Sequence, residues 1–185
     1  MQDMTAIVKV QPAIITLPES EVPSVSKPSQ HFRTAVVLQK LTRLDWEKQK
    51  HPHKSAEQLI EYLRSKGHEV DSMIENDRKQ KAAVAEILSR LRNANIMTQL
   101  VDRQSLNEAI AWADLVVSAG GDGTFLTAAA AVADRTPVIG INTDPVGSEG
   151  YLCIGGKNPP HDLFQRLVEG KFQFPRTRFR LMISL

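Results

Sequence analysis

The chain of 185 residues, 42% of them hydrophobic, is long enough to bury one sizeable core and to begin a second. Its 23 basic and 21 acidic residues leave a formal net charge of +2, which argues against nucleic acid or an anionic membrane as partner, and no apolar stretch approaches the ~20 residues of a membrane span. The single cysteine, Cys153, excludes an internal disulfide framework and fits a soluble, intracellular protein in a reducing compartment.

Residues 1–30 hold four of the ten prolines among Ser, Glu and Val with no sustained period, and are expected to be disordered or loosely draped. They carry Asp3, Glu19 and Glu21, no arginine and no apolar signal core, which is unlike a mitochondrial presequence. The β-branched run Thr34–Gln39 predicts the first core strand. Lys40, Thr42 and Arg43 follow its carboxyl end, the edge at which open α/β sheets bind ligands. Spacing alone reads Lys40 and Arg43 equally as phosphate contacts and as solvated loop charges.

Ala56, Leu59, Ile60 and Leu63 recur at helical spacing between His53 and Lys66, and Gly67 is a natural stop. A second helix is predicted over 77–93, with Val84, Ile87, Leu88 and Leu91 on one face; residues 69–75 show no decisive pattern. His51 and His53, without cysteine or nearby carboxylates, read as loop residues rather than a metal pair. Ile96–Val101 predicts another strand, and Ser105 with Glu108 predicts a capping box on a short helix ending near Ala111. Further strands are predicted over Leu115–Ser118 and Pro137–Asn142, and a short helix between Pro160 and Gly170 presents Leu163, Phe164, Leu167 and Val168. Strands alternating with helices predict an α/β fold, a Rossmann-like doubly wound, mostly parallel sheet over residues 31–174, with the strand ends at Leu38, Val101, Ser118 and Ile141 on one edge. From Lys171 the period changes to two, with Arg176, Arg178 and Arg180 alternating, so residues 175–185 are expected to begin a second, β-rich domain.

The chemistry concentrates after Leu115-Val116-Val117-Ser118-Ala119, where Gly120-Gly121-Asp122-Gly123-Thr124 opens an alanine-rich helix. Three glycines in four positions let the backbone turn sharply, take positive φ and leave no Cβ in a ligand's way, and the free amides of the helix start favour an anion. A lone carboxylate, Asp122, inside a phosphate site suits a metal contact or a base that accepts the proton of an attacking hydroxyl. The alternative for Asp122 is a plain helix-capping role. Phosphoryl transfer to a hydroxyl fits better than hydride transfer, because the dinucleotide fingerprint follows a first strand and this turn follows a later one. Gly150–Asn158 lacks the lysine and hydroxyl of a Gly-x-x-x-x-Gly-Lys-Ser/Thr loop and is rejected as one.

Gly-Gly-Asp-Gly-Thr resembles the motif of NAD kinases and of diacylglycerol and sphingosine lipid kinases. Pro137-Val138-Ile139-Gly140-Ile141-Asn142-Thr143-Asp144-Pro145, then Ser148-Glu149-Gly150-Tyr151-Leu152-Cys153, resembles the mitochondrial-type branch of the NAD kinases, as does Lys40-Leu41-Thr42-Arg43 with Trp46 and Glu47. The resemblance covers roughly residues 33–182. It implies ATP-dependent phosphorylation of the 2′-hydroxyl of the adenosine ribose of NAD, with Mg²⁺, by an enzyme that tends to form dimers or larger oligomers. By position, Asp122 would be the base, Gly120, Gly121, Gly123 and Thr124 would line nucleotide phosphates, and Asn142, Thr143, Asp144, Gly150 and Tyr151 would border the NAD site. The resemblance implies a mitochondrial protein; the N-terminal composition leaves a cytoplasmic one as the alternative. Such enzymes continue into a β-rich domain with an Asn-Glu pair that these residues do not contain, so the alternatives are a non-catalytic nucleotide-binding or regulatory module and, third, a lipid kinase.

Overall fold

The computed structural model describes residues 32–169 and 171. The expectations for residues 1–30, for the strand pattern after Lys171 and for a second domain over 175–185 lie outside them.

Four strands form an all-parallel sheet in the order β2-β1-β3-β4: β1 Thr34–Gln39, β2 Met97–Val101, β3 Leu115–Ala119 and β4 Val138–Ile141. Leu38 pairs with Val101 on one side and with Ser118 on the other, and Ala119 pairs with Ile141, so the four carboxyl ends share one edge. The two central strands are covered on both faces, which is why they read as unbroken apolar runs: Ala35 to Leu38 and Leu115 to Ala119 are all buried. Strand β2 is an edge strand, and its exposed Met97 and Leu100 follow from that place.

Helices α1 Arg43–Lys50, α2 Ala56–Ser65 and α3 Val70–Asn93 lead from β1 to β2; α4 Leu106–Ile110 joins β2 to β3, α5 Asp122–Ala131 joins β3 to β4, and α6 Leu163–Val168 follows. One core layer packs Val84, Ile87 and Leu91 of α3 and Leu163 and Leu167 of α6 against Ala35, Val37, Leu115, Val117 and Ile139. The opposite layer packs Leu106 and Ala109 of α4 and Ala128 of α5 against Val36, Leu38 and Val116. Burying one such Val or Leu side chain contributes about 1.5–3 kcal/mol. A satellite cluster of Leu44, Leu59, Leu63 and Val70 holds α1 and α2 on the start of α3. The sheet is therefore wound on both faces, as the alternation predicts. Among the described residues no helix is long and apolar enough to cross a membrane.

Two local expectations need correction. Helix α3 starts at Val70, seven residues before the predicted start, because Val70 docks into the satellite cluster and draws 70–76 into the helix. The Ser105 capping box does not form: Ser105 already has helical backbone angles, and Asp102 Oδ1 instead accepts hydrogen bonds from Gln104 N, Ser105 N and Ser105 Oγ. That carboxylate does the work of the cap, and the Ser105 amide and then its hydroxyl hold the Asp102 carboxyl below its ordinary range, against a smaller burial effect.

Candidate functional site

Strand β1 sends its connection toward β2 and β3 sends its own toward β4, so neighbouring strands part at their carboxyl ends and leave a crevice between them. The glycine turn lies there. Lys40 N donates to Ala119 O at 2.9 Å, which ties the loop after β1 to the last residue of β3. Gly120 N donates to Ile141 O at 3.0 Å, which ties the turn to β4.

None of Gly120, Gly121 and Gly123 takes a positive φ, contrary to the expectation for this turn. Two of the glycines are needed for close approach instead. A Cβ on Gly120 would run into the Thr124 side chain and come within 3.0 Å of Lys40 Cβ, and one on Gly121 would lie 2.6 Å from Ser148 Oγ. A Cβ on Gly123 would meet nothing within 4 Å, so this exposed glycine leaves open space over the start of α5.

Asp122 is the first residue of α5, where the helix dipole favours an anion, and it caps nothing: Gly121 is the N-cap, without a side-chain hydrogen bond. Its carboxylate is held from the loop after β4, with Oδ2 accepting from Tyr151 N at 3.1 Å and Oδ1 from Leu152 N at 2.8 Å. That loop is organised by the buried Asn142, whose Nδ2 donates to Ser148 O at 3.0 Å while its Oδ1 accepts from Asp144 N at 3.1 Å. Gly150 has φ +66°, and a Cβ there would lie 2.5 Å from Asn142 Nδ2, so here glycine is required on both counts. Asp144 closes the turn by accepting from Gly147 N at 2.9 Å and lies 3.6 Å from Lys40 Nζ. The Tyr151 side chain is 83% exposed and free to meet a ligand.

The structure thus brings Lys40, Gly120, Gly121, Asp122, Gly123, Thr124, Asn142, Thr143, Asp144, Gly150 and Tyr151 to one edge of the sheet. Thr42 and Arg43 are spent locally. Thr42 is the N-cap of α1, accepting from Asp45 N at 3.1 Å and donating to Asp77 Oδ1 at 2.6 Å, and Arg43 pairs with Glu47 at 2.8 Å and stacks over Trp46. His51 sits edge-on against Tyr62, and His53 shares a recess with it. Among the described residues no group of three His, Cys, Asp or Glu could hold a metal ion.

Sequence reasoning missed the polar face of α3. Val70, Met73, Asp77, Gln80, Val84, Ile87 and Leu91 form one stripe at helical spacing, and its polar members Asp77 and Gln80 are buried where they reach the site loops. Asp77 takes the Thr42 hydroxyl and Lys81 Nζ, the latter at 2.6 Å; Lys81 also lies 3.2 Å from Asp45. Burial opposes the charge on Asp45, but Lys48 and Lys81 outweigh it and hold the carboxyl below its ordinary range. Gln80 joins Ala119 O and Thr143. Two polar residues inside an apolar stripe were the available signal.

Cys153 is buried, with Sγ 3.7 Å from Gly120 O, and burial together with the charge of Asp122 pushes its thiol up to about 11. It is a protonated packing residue, not a nucleophile.

Residues 33–172 match the model of the ATP-NAD kinase N-terminal domain. The chain belongs to the NAD kinase family. It is 39% identical over 156 residues to the protein named NAD kinase 2, mitochondrial, of Homo sapiens, an alignment covering 80% of this chain and 35% of the human protein. It is 36% identical over 180 residues to the protein of the same name in Xenopus tropicalis, covering 92% of this chain and 42% of that one. A bacterial NAD kinase, from Citrifermentans bemidjiense, is 36% identical over 132 residues, covering 70% of this chain and 39% of the relative. The chain therefore spans well under half the length of these NAD kinases.

Proposed function

We propose that this chain is the nucleotide-binding part of an NAD kinase that uses ATP to phosphorylate the 2′-hydroxyl of the adenosine ribose of NAD, giving NADP. The observation that carries the reading is the placement of Asp122, a carboxylate fixed by two backbone amides of the loop after β4, at the start of a helix on the carboxyl edge of the sheet. In this reading Asp122 orients the attacking hydroxyl and takes its proton late in a loose transition state, where positioning and charge neutralisation do most of the work. The amides of Gly120, Gly121 and Gly123, the Thr124 hydroxyl and the Lys40 ammonium border the phosphates. Asn142, Thr143, Asp144, Gly150 and Tyr151 border NAD. Thr42 and Arg43 contribute indirectly, by anchoring α1 and so the loop that carries Lys40.

Mg²⁺ belongs to the same reading. A lone carboxylate at a phosphate turn suits an ion that keeps its waters and arrives on the nucleotide, with Asp122 the residue placed to meet it, and it would neutralise charge on the transferred group. A homodimeric, mitochondrial enzyme follows from the same family reading, the mammalian and frog relatives being named mitochondrial.

The test is titration calorimetry of the chain with NAD and with ATP, together with NADP formation in the presence of Mg²⁺, beside Asp122→Asn. We expect both nucleotides to bind, and any turnover to fall by a factor of about 10²–10⁴ in the variant. Undiminished turnover in Asp122→Asn would remove the base assignment, and a folded chain that binds neither nucleotide would remove the reading of the site.

A further inference from the structure

Two segments of the site meet on one buried side chain, and a third reaches it through a shared carbonyl. Gln80, on the core-facing stripe of α3, is 5% exposed. Its Nε2 donates to Ala119 O at 2.9 Å, at the carboxyl end of β3, and its Oε1 accepts from Thr143 Oγ1 at 2.5 Å, in the loop after β4. The same Ala119 carbonyl receives Lys40 N from the loop after β1. A carbonyl can only accept, so the amide orientation follows: nitrogen toward Ala119, oxygen toward Thr143.

The two bonds differ in what their loss would do. Ala119 O keeps the Lys40 amide, so the glycine turn stays tied to β1 and, through Gly120 N, to β4. The Thr143 hydroxyl would lose its acceptor, and with it the link between the Asn142–Gly150 loop and α3. Tyr151 N and Leu152 N, which hold Asp122, follow directly after that loop.

We infer that Gln80 is a positioning residue that sets the loop after β4 for NAD and leaves the phosphate turn in place. This rests on the reading of that loop as the NAD border. The effect of its loss is therefore lopsided, weakening NAD and sparing ATP, whereas a Gln80 that served only to fill the core would affect both ligands and the helix alike.

Gln80→Met keeps the length and removes both hydrogen bonds, and Thr143→Val removes the hydroxyl at nearly constant volume. In Gln80→Met we expect the NAD dissociation constant to rise about tenfold, the effect of losing one buried hydrogen bond, with that of ATP within about twofold. Without ligand, amide exchange should quicken at Asp144, Ser148, Tyr151 and Leu152 and stay unchanged in β1 and along α3. The double variant should lose no more NAD affinity, and no more protection of those amides, than Gln80→Met alone, because the two residues share one bond. Equal losses for NAD and ATP, additive effects, or faster exchange throughout α3 would overturn the inference. A wild-type chain that binds no NAD would instead count against the reading of the site, and the exchange measurements and their double-variant comparison would still decide whether Gln80 holds the loop.

Discussion

Asn142→Asp is the sharpest perturbation of the loop that holds Asp122, because it changes one atom's chemistry and almost no volume. The native Nδ2 donates to Ser148 O across 3.0 Å, while Oδ1 accepts from Asp144 N. The introduced carboxylate keeps the acceptor and turns the donor into a negatively charged oxygen facing a carbonyl at a site that is 6% exposed. Losing that bond and leaving Ser148 O unsatisfied costs about 1–3 kcal/mol, so about 2 kcal/mol is the working value. Since 1.36 kcal/mol corresponds to one pH unit, the introduced carboxyl should titrate about 1.5 units above its ordinary value of ~3.9. The sign follows. The folded state disfavours the ionised form, so the deficit relative to wild type is complete above about pH 6, shrinks as pH falls through the folded-state value, and is gone below about pH 4, where the protonated oxygen can donate to Ser148 O. Urea unfolding of both proteins from pH 4 to pH 7, taken as a difference at each pH, measures this. A difference below about 0.5 kcal/mol at pH 7, or one that does not change with pH, would refute the role given to Asn142.

Gly123→Ala separates the fold from the function. A Cβ there meets nothing within 4 Å in the free chain and sits in the first turn of α5, so stability should rise by up to about 1 kcal/mol while ATP affinity falls, calorimetry and urea unfolding giving the two readings. Unchanged ATP affinity would show that phosphate does not approach the turn at Gly123. Cys153, buried beside Asp122 and pushed up to about 11, should resist iodoacetamide at pH 8 in the folded chain and react readily in 6 M guanidinium, as mass spectrometry of the two samples would show.

The sheet was legible because its central strands are buried on both faces: Thr34–Gln39 begins and ends as the residue pattern predicts, and so does the junction at Ala119. The same patterns hid the contacts that cross the chain. Thr42 read as a phosphate contact since it follows a strand, but only the fold puts Asp77 within 2.6 Å of its hydroxyl. The start of α3 was obscured because Asp77 and Gln80 interrupt its apolar stripe, and they are polar for the reason that makes them interesting: they reach from the helix to the loops of the site. Glycine spacing pointed to the turn for a partly mistaken reason, since close approach to Thr124, Lys40 and Ser148, not positive φ, demands Gly120 and Gly121.

The Asp122 carboxylate is held by two amides and still open to further donors. Each carboxylate oxygen offers about two acceptor positions, so the amides of Tyr151 and Leu152 occupy about half of the group's capacity and leave the remainder for a ribose hydroxyl or the shell of a bound ion. Both amides come from the loop after β4, so anything that moves this loop moves the Asp122 carboxylate. Asn142 fixes the loop from within, Lys40 pairs with its Asp144 from the end of β1, across β3, and Gln80 grips it at Thr143 from the layer beneath the sheet. If Asp122 is the base and this loop borders NAD, as proposed, positioning supplies most of the rate, and substitutions in the residues that hold the loop should be felt first in the NAD step.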